Sequence, residues 1–258
     1  MPTGPRDSEV AIVTGGSAGI GRAVALALAR SGRIVVISGR DEARLVAAAD
    51  AIAQETGTEV GAYRADASST VAMREAVTDT VDRYGRLDVI VNNAGVGRVI
   101  PISQTTDAAL ELAFRTNVFG PAATIGAAWA HLVGARRGCI VNISSWAALD
   151  PFPGFFLYAA TKSALNSMTR SVHNEGKEHG IRAFTIGPGA VETDLLRSAF
   201  DESIVPREAC LRPDEVAALV MDCVDGRRDA DAGRCLYICR DTASGGVQIV
   251  ADGEPHPR

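Results

Sequence analysis

Tyr158 and Lys162 lie four residues apart in a stretch that reads as helix, residues 156–180, so both side chains project from one face. A tyrosine hydroxyl titrates near pH ~10 and moves protons poorly at neutral pH. An ammonium beside it favours the phenolate and lowers that pKa. Such a pair suits chemistry that makes or consumes an alkoxide. A Tyr-x-x-x-Lys pair alone is common, and Ser145 gives this one weight. Ser145 falls at the end of an expected strand, thirteen positions before Tyr158. Its hydroxyl can there hydrogen-bond a substrate oxygen and stabilise developing charge. Ser144 competes for that role. Asn117 lies inside an expected helix, where asparagine is disfavoured, and this points to a tertiary task.

A second cluster could hold a phosphate. Gly15-Gly16-Ser17-Ala18-Gly19-Ile20-Gly21 follows a short β-branched run and opens a stretch with alanine and leucine at helical spacing. Glycines let the backbone turn sharply and approach a pyrophosphate, and the helix N-terminus offers free N–H groups to the anion. The spacing is GxxxGxG, not the GxGxxG of the usual dinucleotide fingerprint, so a plain glycine-rich turn stays an alternative.

These groups need elements to position them. Strand-like runs at 10–14, 33–38, 59–64, 87–91, 138–143, 181–186 and finally 235–239 alternate with helical stretches at 19–31, 41–55, 69–84, 107–134 and 156–180. Asp41 can cap the second helix. The alternation predicts an α/β fold with a doubly wound parallel sheet and helices on both faces, and the near-continuous apolar strands fit a sheet covered on both sides. Ligands of such sheets bind beyond the carboxyl ends of the strands, where the loops above fall.

The bulk numbers exclude other classes. A chain of 258 residues fits a single domain, 1–258, with a core that needs no staples. With 26 basic and 31 acidic residues, a net charge of −5 leaves no footprint for nucleic acid or an anionic membrane. Residues 1–9 are polar and hold no apolar signal region, and residues 1–8 are expected to be flexible. Apolar stretches such as 23–29 are too short to span a bilayer. The five cysteines, an odd number without CxxC spacing, suit reduced thiols and a cytoplasmic location. The four histidines are scattered, so no metal site is expected.

Taken together, Thr14 to Gly21 (TGGSAGIG), Asn92-Asn93-Ala94-Gly95, Ser145, Tyr158-x-x-x-Lys162 and Pro188-Gly189 resemble the motifs of the short-chain dehydrogenase/reductase family, in the family's order, over about residues 10–193. The resemblance implies a Rossmann-like fold and hydride transfer between NAD(P)(H) and a carbonyl or secondary alcohol, without a metal. In its terms Gly15, Ser17, Ala18, Gly19, Ile20 and Gly21 cradle the pyrophosphate. Asp66 and Ala67 contact the adenine, although Asp66 could equally cap the next helix. Asn93, Ala94 and Gly95 lie along the cofactor, and Asn92 ties the central strands together. Pro188 and Gly189 line the cofactor, and the backbone of Val191 and the hydroxyl of Thr193 contact the nicotinamide carboxamide. An NAD site places an acid on the ribose 2′-OH. In the family that acid falls where this chain has Gly39, and Arg40 next to it offers a guanidinium suited to a phosphate. NADP(H) is therefore the expected cofactor and NAD(H) the alternative; Ala18 is neutral where some NADP-using relatives carry a second base.

By the same resemblance Tyr158 donates the proton, Ser145 orients the carbonyl, Lys162 tunes Tyr158 and binds the nicotinamide ribose, and Asn117 holds a water that links Lys162 to solvent. Trp146, Phe155, Leu195 and Leu196, with Ser145 and Tyr158, are the expected substrate contacts, and residues 194–212 the substrate lid. Neither region gathers fixed positive charge, which favours an apolar or aromatic ketone or alcohol, a small molecule. The small-residue-rich helices 107–134 and 156–180 are expected to pair in a homodimer or homotetramer. Residues 241–258 depart from the family's usual ending. An NAD(H)-dependent alcohol or hydroxysteroid-type dehydrogenase, and a non-catalytic NADP(H)-sensing regulator, are the competing readings.

Overall fold

A computed structural model describes residues 8–241 and 244–254. Seven strands follow the expected rhythm: β1 (Val10–Thr14), β2 (Ile34–Gly39), β3 (Val60–Arg64), β4 (Val89–Asn92), β5 (Gly138–Ile143), β6 (Ile181–Pro188) and β7 (Cys235–Arg240). They form one parallel sheet in the order β3-β2-β1-β4-β5-β6-β7. An eighth strand, β8 (Val247–Ala251), returns antiparallel along β7. This corrects the expectation that the sheet ends at 235–239. Asp241 begins the turn by accepting from Gly245 N (2.7 Å), and Gly245, at φ +69°, makes the reversal that an L side chain resists.

Strand residues alternate between two cores. Ala11, Val13, Val35, Ile37, Val89, Val91 and Val141 pack with α1 (Gly19–Arg30), α2 (Glu42–Thr56) and α8 (Pro213–Val224). Val10, Ile12, Val36, Ile90 and Ile140 face α3 (Thr70–Tyr84) and α5 (Gly120–Ala135) on the other side. The period of two and the burial on both faces are what a doubly wound sheet requires.

The expected helix 107–134 is divided: α4 (Asp107–Phe114), a π-helical turn at Arg115–Phe119, then α5. This 29-residue stretch, Asp107–Ala135, is long and apolar enough by composition to cross a bilayer, contrary to the expectation from shorter apolar runs. Here it packs against α3 and α6 (Phe156–Gly176). A short helix, α7 (Asp194–Arg197), opens the segment expected to be a lid. The flexibility expected for residues 1–8 falls, apart from Ser8, outside the described residues.

Candidate active site

The glycine loop after β1 is shaped for close approach. Gly15 and Gly19 adopt positive φ, +66° and +52°. A Cβ on Gly21 would lie 2.3 Å from Gly15 O and 2.4 Å from Asn93 Nδ2. Asn93 closes the cradle: its side chain donates to Thr14 O (2.9 Å) and Gly15 O (3.2 Å). Thr14 Oγ1, unremarked in the sequence, accepts from the backbone N–H of Asn93 and of Ala94, both at 3.0 Å. Asn92 donates to Asn142 Oδ1 (2.8 Å), bridging β4 and β5. Asp41, Ser69, Thr106 and Thr193 cap α2, α3, α4 and α7 with their side chains, whereas Ala18 leaves the N-terminus of α1 without a side-chain cap or an acidic first turn. Orphan N–H groups and a dipole end aimed out of a glycine cradle fit the pyrophosphate of a dinucleotide. Ser17 and Ile20 are half-buried in this loop.

The ribose side is equally open. Gly39 ends β2, and a Cβ there would meet Leu45 Cδ1 at 3.4 Å and Ser17 Oγ at 3.7 Å. Arg40 is exposed, and among the described residues its guanidinium has no ion pair or hydrogen bond. Asp41 caps α2 as expected, accepting from Arg44 N (3.0 Å). Asp66 does not cap α3, because Ser69 does. Asp66 Oδ1 instead accepts from the N–H and hydroxyl of Ser68, both 2.9 Å. Ala67 presses its carbonyl against the start of α5, where a Cβ on Gly120 would lie 2.2 Å from it.

The proton-handling residues meet at the carboxyl end of β5. Ser144 is buried and donates to Lys162 O (3.2 Å), so its hydroxyl serves packing. Ser145 starts the next turn and accepts from Ala147 N (3.1 Å), with its hydroxyl close enough to Tyr158 to pull that group's pKa down. This geometry separates the two serines. Lys162 is buried, and its Nζ donates to Ile143 O (2.8 Å), 5.6 Å from the Tyr158 ring centroid. Burial pushes the Lys162 pKa down to about 8. Burial also raises the Tyr158 pKa, and Ser145 pulls the other way. The lysine is turned to a carbonyl, and desolvation dominates both groups.

Asn117 sits in the π-helical turn and is buried. Its side chain accepts from Val96 N (2.9 Å) and donates to Val96 O (2.9 Å) and Thr161 Oγ1 (3.0 Å). Thr161 in turn donates to Tyr158 O (2.7 Å). The asparagine thus clamps the loop after β4 to the first turn of α6. A Cβ on Gly95 would lie 3.4 Å from Asn117 Oδ1 and 3.5 Å from Lys162 Nζ, and one on Gly97 would lie 3.0 Å from the Tyr158 ring. Thr161 and Gly97 escaped the sequence reading. Their signals were the i, i+3 spacing of Tyr158 and Thr161, and a second glycine two residues after Gly95.

Beyond β6, Gly189 N donates to Ile238 O (2.8 Å), and Val191 bridges to Leu211. Thr193 Oγ1 donates to Val191 O (3.2 Å) and caps α7 through Leu196 N (3.2 Å). A Cβ on Gly19 would meet Thr193 Cγ2 at 3.1 Å, so this segment closes over the glycine loop. Pro188 is buried at the strand end. Of the expected substrate contacts, Phe155 lies against Tyr158, with ring centroids 5.4 Å apart. Leu195 is exposed and Leu196 half-buried on α7. Trp146 turns toward β7, its ring edge-on to Tyr237 at 5.6 Å.

Residues 9–203 match the family model described as short chain dehydrogenase. An oxidoreductase of Methylorubrum extorquens is 35% identical over 226 residues, covering 83% of this chain and 89% of its own. Among solved structures, a short chain dehydrogenase from Burkholderia cenocepacia in complex with NADP is 32% identical with a TM-score of 0.80, covering 89% of this chain and 95% of that one. A 3-ketoacyl-(acyl-carrier-protein) reductase from Brucella melitensis complexed with NADH is 27% identical with a TM-score of 0.81, covering 89% and 96%.

Proposed function

The chain belongs to the short-chain dehydrogenase family and is an NAD(P)-dependent oxidoreductase acting on C=O or CH–OH groups, and from that premise we propose that it reduces an apolar or aromatic ketone with NADPH. The observation that carries the reading is the buried Lys162 with its Nζ 5.6 Å from the Tyr158 ring centroid at the carboxyl end of β5, where Ser145 begins the next turn. The bound nicotinamide supplies the hydride. Ser145 then orients the carbonyl oxygen, and Tyr158 delivers the proton to it. Lys162 would hold the nicotinamide ribose, and its charge, 5.6 Å from the Tyr158 ring centroid, favours the phenolate. Asn117 holds the loop and helix on which this depends.

Arg40 supports the choice of NADPH. Its free guanidinium has its full set of donors for a 2′-phosphate, and Gly39 removes the carboxylate that would repel one. A substrate panel read by NADPH and NADH oxidation tests both halves of the proposal. Turnover confined to NADH would leave the dehydrogenase reading and overturn the cofactor choice. Cofactor binding without turnover of any ketone or alcohol would favour a sensing regulator.

A groove of about 600 Å³ between α5 and α6, lined by Ile125, Trp129, Met168 and Val172, is where we place a second copy in a homodimer or homotetramer. The five thiols are free, four of them buried, which suits the cytoplasm. Light scattering at micromolar concentration checks the assembly.

A further inference from the structure

Four rings form a continuous cluster from the lid to the proton donor. Phe155, one turn before Tyr158 in the chain, is the hub. Its centroid lies 5.4 Å from Tyr158 at 59°, 5.9 Å from Phe152 at 72°, and 5.9 Å from Phe200 at 75°. The Phe152 and Phe200 contacts are edge-on, the arrangement in which the positive rim of one ring meets the negative face of the next. Phe200 comes from the far side of the cleft. Its N–H donates to Leu196 O (2.9 Å), so α7 fixes its position. The start of the lid is held as well: Arg197 binds Glu192 through Nε–Oε1 (2.9 Å) and donates to Val205 O (2.7 Å). Its far end is held by Arg240, which pairs with Glu215 (2.5 Å) and donates to Cys210 O (3.3 Å). Of the cations next to these rings in the chain, Arg197 is paired with Glu192 and Lys162 donates to Ile143 O.

We propose that Phe200 is a specificity-determining residue that, with Phe155, selects ketones carrying a flat ring directly on the carbonyl carbon. The inference rests on the ketone reading above. The substrate oxygen must lie at the Tyr158 and Ser145 hydroxyls, so a substituent on the carbonyl carbon lies beside the Tyr158 ring, where Phe155 stands. A planar ring there meets the face or edge of Phe155 and replaces or extends its contact with Phe200. A short alkyl group reaches neither. A charged group finds no partner among the rings.

The test compares NADPH-dependent reduction of acetophenone, 2-butanone and acetoacetate by the wild type, Phe200→Ala and Phe200→Leu, with NADPH affinity measured by fluorescence. Loss of one ring–ring contact predicts a fall in kcat/KM for acetophenone of roughly tenfold in Phe200→Ala, carried mainly by KM. Phe200→Leu, which keeps apolar bulk but no ring, falls between. Reduction of 2-butanone and NADPH affinity stay within about twofold of the wild type in both variants. A parallel fall for acetophenone and 2-butanone makes Phe200 a lid fastener and overturns the proposal, as does no change. A wild type that prefers acetoacetate overturns it, because a carboxylate gains nothing from uncharged rings. A wild type that binds NADPH and reduces none of the three overturns the functional reading, and this inference falls with it.

Discussion

The cofactor side and the substrate side of the cleft are built from different material. The cofactor side is backbone: glycines at positive φ, an uncapped helix end, and Asn93 and Thr14 locking two loops by four hydrogen bonds. The substrate side is side chains on loops, with Phe152 61% exposed and Ile204 63% exposed. The first surface recognises one fixed ligand, which any substrate of the enzyme shares. The second recognises what varies, and side chains on loops can be exchanged without disturbing the sheet. The two meet at Tyr158, whose ring touches Gly97 on one side and Phe155 on the other.

The largest expected effect lies at that junction. Tyr158→Phe keeps the ring packing and removes the proton donor, so kcat falls by roughly 10²–10⁴ while NADPH affinity stays within about twofold. Stopped-flow turnover and cofactor titration measure the two separately. Near-normal turnover would remove Tyr158 from the mechanism.

Lys162 tests how deeply the junction is buried. With a folded pKa of about 8 against an ordinary value of 10.5, the unfolded chain holds the proton between those values and the folded chain does not. Stability therefore rises with pH across pH 8–10.5 and lacks this contribution below 8. The shift corresponds to ~3 kcal/mol at most. Cys139, Cys235, Tyr63 and Tyr84, all pushed up to about 12 by burial, act in the opposite direction as pH passes their unfolded values. The measurement is thus a difference: urea unfolding of the wild type and Lys162→Met at pH 7.5 and 9.5. The wild type gains stability relative to Lys162→Met as pH rises, and a difference independent of pH would mean that Lys162 keeps its charge when buried.

On the cofactor side Arg40→Ala is expected to weaken NADPH by about 10- to 100-fold, the value of one charge-assisted contact, and to leave NADH nearly unchanged. Gly39→Asp should invert the preference, and the backbone tolerates it: the new Cβ meets its neighbours at 3.4 and 3.7 Å, ordinary contact distances. Titrating both cofactors into both variants decides this. Tighter NADH binding in the wild type would make Arg40 a surface residue.

The same contrast explains what the sequence disclosed. β1, α2's cap at Asp41, β5 and the glycine loop were legible because apolar period, cap chemistry and glycine spacing are local. Ser145 could be preferred to Ser144 only by resemblance, since the difference is that the Ser144 hydroxyl is buried and spent on Lys162 O while Ser145 is only half-buried. The π-helical turn at Asn117 was hidden because a helix-period pattern runs through it, and the bonds of Asn117 to Val96 and Thr161 are tertiary. β8 was hidden because an edge strand of five residues carries a weak alternating pattern. Phe200 could be read as lid, but nothing in its neighbours along the chain points to Phe155.

The smallest expected effect asks whether the two sides are separate at all. Arg44, in the first turn of α2, reaches across to Asp194 at the start of the lid, with Nη2–Oδ2 at 3.5 Å. It is an ion pair between the ribose side and the substrate side, and both partners are well exposed, 58% and 89%. In high dielectric a pair of that kind contributes about 0.2–1 kcal/mol, and salt screens it. A double-mutant cycle on Arg44→Ala and Asp194→Asn, read by urea unfolding, should return a coupling within that range that disappears near 1 M salt. NADPH affinity and ketone KM should then change independently in the single variants. A coupling of ~2 kcal/mol or more, persisting in salt, would mean that the lid and the ribose-binding helix move as one body. The division of labour between backbone and side chains would then describe how the cleft is made but not how it works.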